Sequence, residues 1–152
     1  VSVLFFLGIL IAISSLQSAG HLTAMATILD NTIGDIYAVN IVIGLLSAIV
    51  DNVPLVAASM GMYPIVSPEM LAAFNPQDAE YYRHFIQDGN FWEFLAYCAG
   101  TGGSALIIGS AAGVAVMGME RIDFIWYMKN MSLFAILGYL AGASYYILMV
   151  AH

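Results

Sequence analysis

Basic residues and cysteines are nearly absent from this chain. Three lysines and arginines in 152 residues offer no cationic surface to a phosphate backbone, which excludes nucleic acid as a partner. A single cysteine, Cys98, rules out an intrachain disulfide; in its apolar setting it reads as a small buried thiol. The three histidines form no pair at metal-ligand spacing, and none neighbours Cys98. A membrane-embedded enzyme would need such a cluster or a nucleophile with its base, so enzymatic chemistry and a resident cofactor are not expected. Charge of either sign is scarce, at 9% of residues against roughly 25% in soluble domains. What remains is apolar: 62% of residues are hydrophobic and the mean hydropathy is +0.90. These values describe an integral membrane protein with membrane lipid as its surroundings. The formal net charge of −7 comes from acids gathered in the presumed extramembrane parts. No charged n-region or small-residue cleavage site marks a signal peptide, and the chain is expected to begin inside a longer polypeptide.

The most informative stretch runs from Ile36 to Tyr63. It is apolar with one ionisable group near its middle, Asp51. A carboxylate at the centre of a bilayer span costs roughly 2.5–3.5 kcal/mol and is seldom kept without a use. Pro54 makes the same spot a break, since it cannot donate to the preceding turn and pushes Val53 from helical dihedrals. The first helix should stop near Val50 and a second start with Asn52 as its cap. Ser47, four residues before Asp51, falls on the same helical face. Hydroxyl, carboxylate, amide and freed carbonyls are hard oxygen ligands, suited to a small cation such as Na⁺. Each half, near fourteen residues, is too short to span alone. The pair either bends across the bilayer or enters and leaves on one side.

On either side the pattern divides simply. Residues 1–18 read as a transmembrane helix, and 19–35 as an interfacial helix closed by Asn31, Gly34 and Asp35. Residues 64–90 form an aqueous loop, with Tyr81, Tyr82, Phe85, Phe91 and Trp92 expected as an aromatic belt at the headgroups. Residues 91–117 are a second interrupted span. Gly100-Thr-Gly-Gly-Ser104 is a poor helix former and predicts unwinding there, with helix resuming at Ala105. Thr101, Gly102, Gly103 and Ser104 thus offer a second oxygen-rich patch. Gly109 and Gly113 suggest a close-packing face, with Ser110 on it as a secondary candidate, and Gly138 with Gly142 suggest another. Residues 118–130 form an amphipathic connector holding Arg121 and Lys129, which the positive-inside rule puts in the cytoplasm. Residues 131–151 are a final span.

Two interrupted hydrophobic elements point to a transporter binding site between inverted repeats. The pair Ser47-Ala-Ile-Val-Asp-Asn-Val-Pro54 and Gly100-Thr-Gly-Gly-Ser-Ala-Leu-Ile-Ile-Gly-Ser-Ala-Ala-Gly-Val-Ala-Val-Met-Gly-Met119 resembles the C-terminal part of the NhaD-type sodium/proton antiporters, within the ion-transporter superfamily. The connector Glu120–Lys129 and the ending Gly138-Tyr-Leu-Ala-Gly142 match as well. The resemblance implies an all-α integral membrane fold, the C-terminal repeat of an inverted-repeat transporter. In it, residues 36–63 are a re-entrant helical hairpin, the loop 64–90 is periplasmic and 91–117 is a discontinuous transmembrane helix. It also implies exchange of Na⁺ or Li⁺ for H⁺ in a bacterial inner membrane, crossed several times. Ser47, Asp51, Asn52, Thr101, Gly102, Gly103 and Ser104 would bind the ion, with Asp51 as the carboxylate on Na⁺ and Pro54 and Ser110 secondary. The implied partners are a missing N-terminal half and a second copy in a homodimer. The rival readings are a sodium-coupled dicarboxylate or arsenite carrier of the same superfamily and a non-transporting structural fragment. No basic residue in either break could meet an anion.

Overall fold

A computed structural model describes residues 2–150, and these are all-helical apart from a single isolated bridge between Val66 and Ile86. Helix α1 (Ser2–Ser18) leads through a short turn into α2 (His21–Ile33). Gly34, at φ 71°, closes α2 in the left-handed region that glycine adopts without strain. Asp35 then caps α3 (Ile36–Leu46), its carboxylate accepting from the Ala38 N–H at 2.8 Å. Helix α4 (Asn52–Met62) carries Pro54 in its first turn, where the missing N–H has no helical partner to lose. Two short helices follow, α5 (Pro68–Leu71) and α6 (Pro76–Tyr82), each opened by a Ser or Asn cap and a proline. Helix α7 (Asn90–Gly102), the irregular segment 103–110, α8 (Ala111–Glu120), α9 (Phe124–Asn130) and α10 (Ser132–Val150) complete the chain. Helix α10 is long and apolar enough to cross a membrane.

Two apolar clusters position the broken elements. In the first, Val39 and Ile43 of α3, Tyr63 after α4, Val66, Phe85 and the α7 residues Phe91 and Leu95 pack together. Ring centroids of Tyr63, Phe85 and Phe91 lie 4.7–5.3 Å apart. The start of α3, the end of α4 and the start of α7 therefore lie at one end of the molecule. Helix α3 runs alongside α7 to the other end, and α4 returns. In the second cluster Phe94 and Cys98 of α7 meet Tyr139 and Ala143 of α10. Tyr97 donates to the Tyr139 carbonyl at 3.0 Å, and Tyr146 donates to the Glu93 carboxylate at 3.0 Å. These bonds fasten α10 along α7.

Several expectations change. Phe85 and Phe91 are fully buried and belong to the core, not to an aromatic belt. Their rings gain more from one another and from Tyr63 than from headgroups, as aromatic pairs at such spacings do. Gly100, Thr101 and Gly102 remain helical, and the second break falls later, at residues 103–110. Gly102 is needed where α7 crosses Gly44, not to unwind the helix. Gly109 lies inside the break, and Gly113 faces the Ile107 carbonyl, so these two form no helix-packing face. Of the later pair, Gly142 accommodates the Tyr97 hydroxyl while Gly138 faces open space.

Candidate functional site

The first break begins where α3 ends. Beyond Leu46 the chain turns tightly, with Ile49 and Val50 both donating to the Leu46 carbonyl at 3.0 Å. Ser47 is fully buried, and its hydroxyl bends back to donate to Gly44 O at 2.6 Å. Since the helix stops before Ser47, the helical spacing to Asp51 does not apply. Asp51 is extended (φ −53°, ψ 142°) and half-buried, and it occupies the cap position of α4 expected for Asn52. Its carboxylate makes no capping bond. Asn52 is instead the first helical residue. Its Oδ1 is buried with no hydrogen-bond partner among the described residues, an orphan acceptor of the kind that costs about 1–3 kcal/mol.

The second break follows α7. A single 3₁₀ turn at 103–105, an extended Leu106, another turn at 107–109 and an extended Ser110 separate α7 from α8. Ser110 caps α8, its hydroxyl accepting from Gly113 N at 3.1 Å. The Thr101 and Ser104 hydroxyls donate to Tyr97 O and Thr101 O, at 2.7 and 2.5 Å, so each is turned onto its own helix. Tyr127 of α9 reaches the break from outside and donates to Ser104 O at 2.8 Å.

The two breaks meet. At Gly102 a Cβ would run into the Gly44 carbonyl, and at Gly44 it would lie 2.7 Å from Cys98 O and against the Tyr139 hydroxyl. Helices α3 and α7 thus touch backbone to backbone, which only glycine allows. One residue on, three oxygens converge. A point one bond out from the Gly103 Cα, where a Cβ would sit, lies 3.0 Å from Asn52 Oδ1, 3.1 Å from Gly109 O and 3.3 Å from Ser47 O. At Gly109 the corresponding point approaches Ser47 O at 2.7 Å and the Gly103 carbonyl more closely still. The carbonyls come from segments where the helical donor is missing, so they are free to face inward. That point is one bond from the Gly103 Cα and is not itself an ion position, but it shows three hard neutral oxygens gathered on one face of Gly103 with a carboxylate in the adjoining residue, a donor set of the kind a small hard cation takes and a soft transition metal does not. Among the described residues no group of three His, Cys, Asp or Glu could hold a metal. Of the residues singled out from sequence, Ser47, Asn52 and Gly103 come together, Gly102 lies beneath them, and Asp51 precedes Asn52 directly. Gly44 and Gly109 were missed as site residues. The signal for Gly44 was a glycine one turn before the break in an otherwise bulky apolar helix.

The sequence as a whole is similar to those of known proteins. Over 144 residues, 95% of this chain, it is 51% identical to sodium/proton antiporter 1 of Arabidopsis thaliana, covering 22% of that protein. It is 33% identical over 152 residues, 99% of this chain, to the Na(+)/H(+) antiporter NhaD of Halomonas elongata, covering 26% of it. It is also 33% identical over 126 residues, 83% of this chain, to NhaD of Vibrio parahaemolyticus, covering 25% of that protein. The chain is homologous to a portion of the NhaD-type sodium/proton antiporters. It spans about a quarter of the length of the curated relatives it matches, between 20% and 30%. The NhaD-type relatives, the composition and the α10 span make it a membrane protein. No protein-family model and no solved structure matches it.

Proposed function

We propose that this chain forms the ion-binding part of a secondary transporter that exchanges Na⁺ or Li⁺ for H⁺. The observation that carries the reading is the convergence of Ser47 O, Asn52 Oδ1 and Gly109 O at Gly103. Their names as sodium/proton antiporters make the NhaD-type relatives a second support. In this reading α3 and α4 are the arms of a re-entrant hairpin, because α3 begins and α4 ends at the Phe91 end of α7, and Asp51 lies at the hairpin's tip. The segment is one repeat of a multi-pass transporter, set in a bacterial inner membrane and completed by an N-terminal half. Thr101 lies in the last turn of α7 and Ser104 in the break that follows it, beside the site, and Ser110 holds the start of α8.

The mechanism follows from one carboxylate serving two cations. A proton on Asp51 removes the charge that attracts Na⁺, and Na⁺ beside it disfavours the proton. The neutral oxygens supply ligands that a proton does not use, so they give Na⁺ its share of the site without fixing it there. Exchange then needs only that the loaded site face each side in turn. No resident cofactor enters. Asp51→Asn, placed in the transporter that carries this segment, should abolish Na⁺-driven proton movement in sealed vesicles while leaving the amount of membrane-inserted protein unchanged. Undiminished, pH-dependent exchange in that variant would overturn the proposal.

A further inference from the structure

We propose that the Tyr139 hydroxyl is a positioning group for the ion site, holding the two breaks at their working separation from outside the site. The inference rests on the ion site proposed above. Tyr139 sits on α10 and is 3% exposed. Its hydroxyl donates to Ile41 O at 2.9 Å, a bond between residues 98 apart in sequence. The same oxygen occupies the space beside the Gly44 Cα. Gly44 is the residue on which α7 rests through Gly102, and its carbonyl receives the Ser47 hydroxyl. One hydroxyl therefore contacts the last turn of α3 at the point where that turn crosses α7, three residues before Ser47 and seven before Asp51. If α3 slides along α7, Ser47 O moves relative to Gly103 and Gly109, and the three-oxygen convergence is lost.

Tyr97 provides the matched control. Its ring stacks on Tyr139 at 6.1 Å and 6°, and its hydroxyl donates to the Tyr139 carbonyl. It ties α7 to α10, but its hydroxyl makes no hydrogen bond to α3. A general brace would make the two hydroxyls equivalent; a positioning group would not.

The experiment compares Tyr139→Phe and Tyr97→Phe in the whole transporter. Both keep the stacked rings and remove one hydroxyl. Tyr139→Phe should raise the apparent KM for Na⁺ by about three- to tenfold, the effect of one hydrogen bond on an equilibrium. Its maximal exchange rate and pH profile should stay as in the wild type, since the phenol neither binds the ion nor carries the proton. Tyr97→Phe should leave KM unchanged and lower only the melting temperature in detergent. Equal KM shifts in the two variants, or none in Tyr139→Phe, overturn the proposal. So does a Tyr139→Phe protein that no longer reaches the membrane, which would assign the hydroxyl to folding. Asp51→Asn in the same background separates this failure from that of the site: full exchange there overturns the site, whereas lost exchange with a wild-type KM in Tyr139→Phe overturns the positioning role alone.

Discussion

Replacing Gly103 with alanine puts a methyl group at the point where three oxygens converge. Gly103 has φ −57° and ψ −25°, an ordinary right-handed conformation, so alanine adds no backbone strain there. By restricting the unfolded chain it contributes about 0.4–1 kcal/mol of stability. Against this, the methyl would meet Asn52 Oδ1 at 3.0 Å, Gly109 O at 3.1 Å and Ser47 O at 3.3 Å. Those neighbours must give by a few tenths of an ångström, and overpacking of this kind costs about 1–3 kcal/mol. The net loss of stability is therefore about 0–2.6 kcal/mol, and the protein should still fold. Ion binding should suffer more, because the methyl group pushes apart the three oxygens that the proposed site draws on. A bond from a polar group to a charge is worth about 1.5–3 kcal/mol, so displacing one of these oxygens weakens Na⁺ binding by about tenfold or more. Gly102→Ala makes the opposite prediction. Its methyl would run into the Gly44 carbonyl, with the carbonyl carbon at 2.5 Å, and backbone atoms in a packed helix do not yield. That variant should be destabilised by about 3 kcal/mol or more with the α3–α7 contact forced open. The assay is Na⁺-dependent proton release from everted vesicles across a range of Na⁺ concentrations, paired with thermal melting in detergent. Wild-type Na⁺ dependence in Gly103→Ala, or a Gly102→Ala protein more stable than Gly103→Ala, would refute the reasoning.

Two further expectations concern the loop side of the molecule. Burial foremost, and then the negative charge of Asp30, pushes the Tyr81 hydroxyl up to about 12. A raised value means that the folded chain holds this proton more tightly, so the associated stability is whole below about pH 10 and is lost as pH rises toward 12. Alkaline titration by phenolate absorbance should show a late step that disappears in Tyr81→Phe; an unchanged titration would contradict the assignment. Phe85 is fully buried between Tyr63 and Phe91, and Phe85→Ala should cost about 3–5 kcal/mol. Protease cutting within residues 64–90 should rise in parallel, and a variant as resistant as the wild type would show that the loop is held by something else.

Pro54 and the glycines near 100 announced two breaks because each acts on the backbone locally, and local effects are legible in a sequence. Where each break falls was less so. Gly100 and Gly102 weaken a helix in isolation, yet α7 continues through both, since propensities of about 1 kcal/mol yield to tertiary contacts. The contact that uses Gly102 is with Gly44, 58 residues earlier by the sequence numbering, and no local pattern announces it. The relation of Ser47 to Asp51 failed for a related reason. Helical spacing was extended through Leu46, where the chain had already begun to turn. The orphan Asn52 Oδ1 was invisible as such, because a lone asparagine beside a proline reads as a cap until its surroundings are known. The tyrosine hydroxyls that fasten α10 carry no sequence signal at all: aromatic residues in an apolar helix read equally well as lipid-facing.

The two tryptophans give the segment a built-in optical ruler. Trp92 lies in the first turn of α7, with its indole N–H on the Phe85 carbonyl at 3.2 Å. Trp126 is half-exposed on α9, beside the tyrosine that reaches the far end of α7. From Trp92 to Gly102 helix α7 rises over ten residues, about 15 Å, so the two tryptophans lie toward opposite ends of it, about half the hydrocarbon thickness of a bilayer apart along its axis. Their emission reports from two surroundings, one sheltered in an aromatic cluster and one half-exposed on α9. A quencher graded across the membrane would weigh the two unequally, and a tilt or sliding of α7 would change the ratio without any label being added.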